Sequence, residues 1–172
     1  MADNSVQPEQ FTGLVLLTGE DAPGIAGSLF QTLAPFAVHV LDVEQVINNN
    51  RLILTVLLAA NPVHQKAIEE DLNICAVSLG VDIAAVFSKN VLPNLPKNQV
   101  TLSLRAKKLH PQIIADLCVL LAKEGANIEH IRKTADEPVS LLFEMSGCAL
   151  TDIENLVSTL TLNDEVTILV GE

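Results

Sequence analysis

Tryptophan and tyrosine are missing from this 172-residue chain, and phenylalanine alone brings the aromatics to 3%. The core must therefore be aliphatic, and single-stranded nucleic acid finds no stacking platform. Basic residues are scarce too: 10 Lys and Arg stand against 21 Asp and Glu, for a formal net charge of -11. A nucleic-acid backbone or an anionic membrane needs clustered cations, so neither is expected as a partner. Cys75, Cys118 and Cys148 form no Cys-x-x-Cys pair, lie in apolar neighbourhoods and read as buried free thiols of a reducing cytoplasm. His64, His110 and His130 lack the spacing of a metal site, so no metal is expected. Gly13, Gly19 and Gly24 match no nucleotide-binding pattern, and no cofactor is implied. Ser28 and Thr32 have no His or Asp partner in sequence reach, which leaves nucleophilic catalysis without support. The start, "MADNSVQPEQ", has neither a basic nor an apolar signal region, and no apolar run is long enough to cross a bilayer. Together these absences describe a cytoplasmic, acidic protein.

What is present is aliphatic and periodic: 49% of the residues are hydrophobic. A strand is expected over residues 11–18, then a helix from Gly24 to Phe36 with Ile25, Leu29 and Leu33 on its apolar stripe. "HVLDVEQVI", from His39, reads as a half-buried strand, "NNN" as a hairpin turn and "RLILTVLLA" as the returning strand. Asn61-Pro62 opens a second helix that buries Ile68, Leu72, Cys75 and Leu79 and stops at Gly80. "VDIAAVF" completes the set, and "SKNVLPNLPKN" is a polar, proline-bearing break.

Beyond that break the same order returns: "QVTLSLR", "HPQIIADLCVLLAKEG", "ANIEHIRKTA", "PVSLLFEMS", "LTDIENLVSTL" and "EVTILV". An offset of 88 links Pro23 with Pro111, Ile25 with Ile113, Leu29 with Leu117 and Leu33 with Leu121. It also links Val43 with Ile131 and Leu54 with Leu142, so one offset is expected across three strands and a helix. Each half is then a βαββαβ unit of ferredoxin-like, α+β type, its four-stranded antiparallel sheet covered by helices on one face. The boundaries read as a disordered tail at 1–10, a first domain at 11–88, a linker at 89–98 and a second domain at 99–172.

"GEDAPGIAGSLFQTLA" carries Asp-x-Pro-Gly between a first strand and a first helix, and in that setting it resembles the ACT domain family of amino-acid-binding regulatory modules. "LDVEQVINNNRLILTVLL" and "NIEHIRKTADEPV" are similar to the N-terminal tandem ACT region of actinobacterial-type phosphoserine phosphatases. The catalytic core of such a phosphatase uses an Asp-x-Asp loop, and none occurs here, so this chain is not expected to be an enzyme. The resemblance leaves two roles open. One is the sensor of a longer phosphatase in L-serine biosynthesis; the other is a free-standing regulator of glycine-cleavage-repressor type that works through protein contacts. It also implies a homodimer joined through its ACT domains, with L-serine the favoured ligand and a catalytic phosphatase domain a candidate partner.

ACT modules commonly hold their ligand where the glycine loop of one module faces a strand of another. Here the first helix starts near Gly24, where unpaired N–H groups and the helix dipole suit a carboxylate. Pro23 stiffens the turn, and Asp21 either pairs with the ligand's ammonium group or merely caps the helix. Asn127, matching His39, is either a second contact or a plain edge residue; Ile25 and Ile128 complete the candidate set. His39 reads as a solvent-facing strand residue. "IEEDL" reads as a solvated acidic face, and "RAKKLH" as a solvated turn or a contact for an acidic domain. At the matching loop the second repeat has Lys108, Leu109 and Gln112 in place of Glu20, Asp21 and Gly24, so no second ligand loop is expected.

Overall fold

The computed structural model describes residues 10–90, 99–159 and 166–171. The chain divides into two units, Met1–Pro93 and Asn94–Glu172. In the first, β1 (Gln10–Glu20) leads to α1 (Ile25–Leu33), and β2 (His39–Asn48) and β3 (Arg51–Ala59) form a hairpin. Then come α2 (Gln65–Leu79) and β4 (Asp82–Asn90). In the second, β5 (Val100–Ala106), α3 (Pro111–Lys123), β6 (Asn127–Asp136), β7 (Val139–Ser146), α4 (Leu150–Thr159) and β8 (Val166–Gly171) repeat the order. The sheets are antiparallel, with strand orders β2-β3-β1-β4 and β6-β7-β5-β8. Both repeats therefore have the expected ferredoxin-like topology.

Period-two alternation builds each core. In β3, Leu52, Leu54, Val56 and Leu58 are buried against Ile25, Leu29 and Leu33 of α1 and Ile68 and Leu72 of α2. In the second unit Val100, Leu102 and Leu104 meet Phe143, Met145, Leu117, Leu121 and Ile153. Gly13 and Gly19 face the first core because Phe87 and Val81 occupy the space a side chain would need. Helix ends follow local chemistry. Asn61 Oδ1 accepts the Val63 N–H at 3.0 Å to start a short 3-10 turn before α2, and Gly80 ends α2 in a left-handed conformation at φ 65°.

Several expectations need correction. The helix from Gly24 to Phe36 is α-helical only to Leu33, and Ala34–Phe36 tighten into a 3-10 turn around Pro35. β2 is exposed at all ten positions rather than half-buried, because it is the sheet's outer strand. Gln10 belongs to β1 and residues 89–90 to β4, so the tail and linker lose those positions; residues 1–9 and 91–98 lie outside the described residues. Only Cys75 is fully buried, while Cys118 and Cys148 are half-buried; all three are free thiols.

The single offset of 88 also fails, in an informative way. It holds for the first helices, where Leu29 and Leu117, and Leu33 and Leu121, are buried in turn. It holds for a β-bulge too, at Leu41 in β2 and at Glu129 in β6. The central strands run at 87 instead. Leu17 pairs with Leu54, and Leu104 pairs with Leu141, so Leu141 is the core counterpart of Leu54. Leu142 points to the opposite face, because neighbouring residues of a strand alternate sides. Two single-residue slips absorb the difference. One falls in the loop before α3, and the other is a second bulge at Thr134 of β6 that the first repeat lacks.

Candidate functional site

The Asp-x-Pro-Gly loop joins β1 to α1 and lies beside the hairpin turn of β2 and β3. Asn49 and Asn50 take positive φ angles of 48° and 60° there, which asparagine tolerates better than most residues. That turn anchors the loop: Asp21 N–H donates to the Asn50 carbonyl at 2.9 Å, and the Asn50 amide reaches Glu20 at 3.5 Å. Gly24 is the N-cap of α1 at φ 95°, a left-handed angle that L side chains resist. Backbone conformation alone therefore demands glycine at this position.

No side chain caps α1. Ser28 N–H donates to the Gly24 carbonyl at 2.9 Å, so intrahelical bonding begins at Ser28. The N–H groups of Ile25, Ala26 and Gly27 lie in the first turn, ahead of any intrahelical acceptor. They open on a cleft of about 300 Å³ lined by Asp21, Ala22, Pro23, Gly24, Gln45 and Leu52, among others. A Cβ placed on Gly24 or on Gly27 would meet nothing within 4 Å, so the backbone here is open to approach. The Asp21 side chain does not cap the helix.

Of the expected site residues, the structure brings Asp21, Pro23, Gly24 and Ile25 together. Ile25 contributes only its backbone, since its side chain is buried in the core. Asn127 and Ile128 belong to the second unit. The Asn127 amide donates to Glu129 Oε1 at 3.2 Å, and Ile128 packs on the second core. The Ser146 hydroxyl also donates to Glu129, and these two bonds, the serine's first, hold the Glu129 carboxyl below its usual range. The bulge at Glu129 places its carboxylate where both donors reach it. His39 starts β2 and is exposed.

Sequence reasoning missed Gln45. Val43, Gln45 and Ile47 pair with Val56, Leu54 and Leu52, so all three lie on the helix-covered side of the sheet. Gln45 is the polar member of that row, and its amide adds a donor and an acceptor to the cleft.

The second repeat closes the equivalent place with its own groups. His110 is the N-cap of α3, and its Nδ1 accepts the Gln112 N–H at 3.4 Å. Pro111 occupies the first helical position, where it brings no N–H, and the Gln112 side chain is held by Asp116 at 2.8 Å. Among the described residues no group of three or more His, Cys, Asp or Glu could hold a metal ion, and no helix is long and apolar enough to cross a membrane.

The family model for the ACT domain matches residues 12–86. A phosphoserine phosphatase of Streptomyces coelicolor is 28% identical over 153 residues, covering 86% of this chain and 37% of that protein. A phosphoserine phosphatase of Mycobacterium tuberculosis is 28% identical over 135 residues, covering 77% of this chain and 33% of that protein. The chain thus spans about a third of the length of these curated relatives. Among solved structures, a candidate glycine cleavage system transcriptional repressor superposes with a TM-score of 0.73 at 10% identity, over 95% of this chain and 98% of the other. A protein from Galdieria sulphuraria superposes with a TM-score of 0.71 at 17% identity, with the same coverage. Both structures share the fold of the whole tandem. The first repeat thus matches the ACT domain model, and the chain is a tandem of two ferredoxin-like folds.

Proposed function

We propose that this chain is an amino-acid-binding regulatory module without catalytic activity of its own. The observation that carries the reading is the bare start of α1: main-chain donors with no side-chain cap, facing an open cleft that also holds an acid and an amide. A free amino acid matches that arrangement group by group. Its carboxylate meets the N–H groups of Ile25, Ala26 and Gly27 and the positive end of the helix dipole. Its ammonium group pairs with Asp21, and its side chain lies toward Gln45. A short polar side chain suits both the amide and the cleft.

L-serine is the first candidate, supported by the two phosphoserine phosphatases among the relatives. The parent activity on this reading is serine biosynthesis, with a catalytic phosphatase domain as the regulated partner and a homodimer as the working unit. Ligand binding then shifts the balance between domain arrangements by the difference in its affinity for each.

Calorimetry against the twenty amino acids tests the proposal. Saturable binding of serine or a near relative is expected. Silence across the whole panel would overturn the sensor reading and favour a regulator that works by protein contacts alone.

A further inference from the structure

The two sheets differ sharply on the faces that carry no helices. Strand register assigns each position to a side. In the first unit the helix-free face presents Leu14 and Leu16 of β1, Ile53 and Leu57 of β3, Val46 of β2 and Val86 of β4. Leu14 is 49% exposed and Val86 67%, which is far from a core environment. Between Thr12 and Thr18 on β1, and between Ile53 and Leu57 on β3, this face holds no charge. Charged groups stand only at its margin: Asp42 and Glu44 on the outer strand, and Glu20, Arg51 and Asp82 at one end, where Arg51 and Asp82 pair at 3.9 Å.

The same face of the second unit is polar. Its central strands present Thr101, Ser103, Arg105, Ser140 and Glu144 with Leu142 as their one apolar member, and Glu144 is ion-paired with Arg132 of β6. No surface of matching polarity lies among the described residues of the second unit, where Val119, Ile131 and Leu169 are the large exposed hydrophobics, on three different elements.

We propose that the helix-free face of the first unit is a homodimer interface, occupied by the same face of a second copy. Three arguments select that occupant. An uncharged centre inside a charged margin is the anatomy of a specific protein interface. Of the two helix-free faces in this chain, only the first unit's own has matching apolar character, and a face that matches itself closes by a twofold axis. Its size suits a weak, reversible dimer. Thr12 and Ala59 at one end are buried, so four strands at about 4.8 Å spacing and the stretch from Leu14 to Glu20 at about 3.3 Å rise cover roughly 20 Å by 23 Å, or about 900 Å² across two copies.

The competing route, strand addition at β2, is partly closed, because the Asp42 carboxylate already accepts the Val43 N–H at 2.9 Å. The expected dimer is a sandwich of two sheets about 10 Å apart with all helices outside. It leaves the α1 cleft open, because the cleft lies on the helix-covered side. The inference shares the homodimer with the proposed function but does not depend on ligand binding.

Sedimentation equilibrium of the full chain tests it, using Leu16→Glu, Val86→Thr and, as a control on the second unit's helix-free face, Leu169→Glu. Circular dichroism first checks that each variant is folded. Wild type and Leu169→Glu are expected to dimerise alike. Leu16→Glu should weaken the dimer at least about 100-fold, since a buried unpaired carboxylate is strongly unfavourable; the milder Val86→Thr should weaken it by about 10-fold. A dimer that survives both first-unit substitutions would overturn this interface while leaving dimerisation itself intact. A wild type that stays monomeric would overturn both.

Discussion

Replacing Gly27 with leucine separates the stability of α1 from its use as a ligand seat. Gly27 lies in the first turn of α1, lines the cleft, and has open space where a side chain would begin. Unlike Gly24, it is not among the residues with positive φ, so a side chain brings no backbone strain. Leucine is one of the better helix formers, and removing a glycine from a helix contributes about 0.5–1 kcal/mol. In a domain of this size that corresponds to a rise in Tm of about 2–8 °C without ligand. The new side chain leans toward the helix N-terminus, because Cα–Cβ bonds tilt that way, and so fills the approach to the bare N–H groups.

Differential scanning calorimetry with and without serine reads both effects. At 100 times its Kd a ligand stabilises the wild type by about 2.7 kcal/mol, or roughly 10–20 °C. The variant should start higher and fail to respond, so the two melting curves exchange order as serine is added. An undiminished ligand shift in the variant would refute the placement of the ligand at α1. A variant less stable than wild type by more than about 1 kcal/mol would refute the account of the helix itself. Gly24→Val is the poorer probe, because at φ 95° it combines backbone strain with obstruction.

Two further predictions follow from the repeat and from the carboxylates of the second unit. Leu29→Ala and Leu117→Ala remove equivalent buried side chains, so each should destabilise its own unit by about 2–5 kcal/mol in urea unfolding. Glu129 and Asp136 have carboxyls held below their usual ranges, the first chiefly by the Ser146 hydroxyl and the second by Lys133. Their contribution is therefore complete above the unfolded-state pKa and is lost as pH falls through the folded-state values. Ser146→Ala should flatten that acid-side loss; an unchanged dependence of the urea midpoint on pH would contradict the assignment.

Much of this molecule is legible from residue order, for reasons that particular elements make plain. β3 alternates Leu52, Leu54, Val56 and Leu58 inward because it is central and half-covered, the situation in which period two is strongest. β2 has no such clarity: as an outer strand it is exposed throughout, and its pattern of Val and Ile reflects neighbours that a single strand's sequence does not name. The duplication was readable in kind but not in phase. Matching Leu54 to Leu142 looks right letter by letter, yet the bulge at Thr134 reverses sides and delivers Leu141 to the core. A bulge has little sequence signature, because it is set by pairing across the hairpin.

At the site, the Asp-x-Pro-Gly loop stood out because Gly24 needs a left-handed angle and Pro23 a fixed one. Ile25 and Ile128 were named with it, but their side chains pack inward, which spacing alone does not decide. Gln45 was missed although a signal existed. A polar residue between Val43 and Ile47, in a row on the helix-covered side, marks a cavity more often than a packed core.

Backbone amide NMR during a serine titration tests the central claim most directly. The account predicts that the N–H resonances of Ile25, Ala26 and Gly27, together with the side-chain amide of Gln45, move the most and saturate together, while those at the start of α3 stay still. Saturable binding that leaves the first turn of α1 unmoved would contradict it.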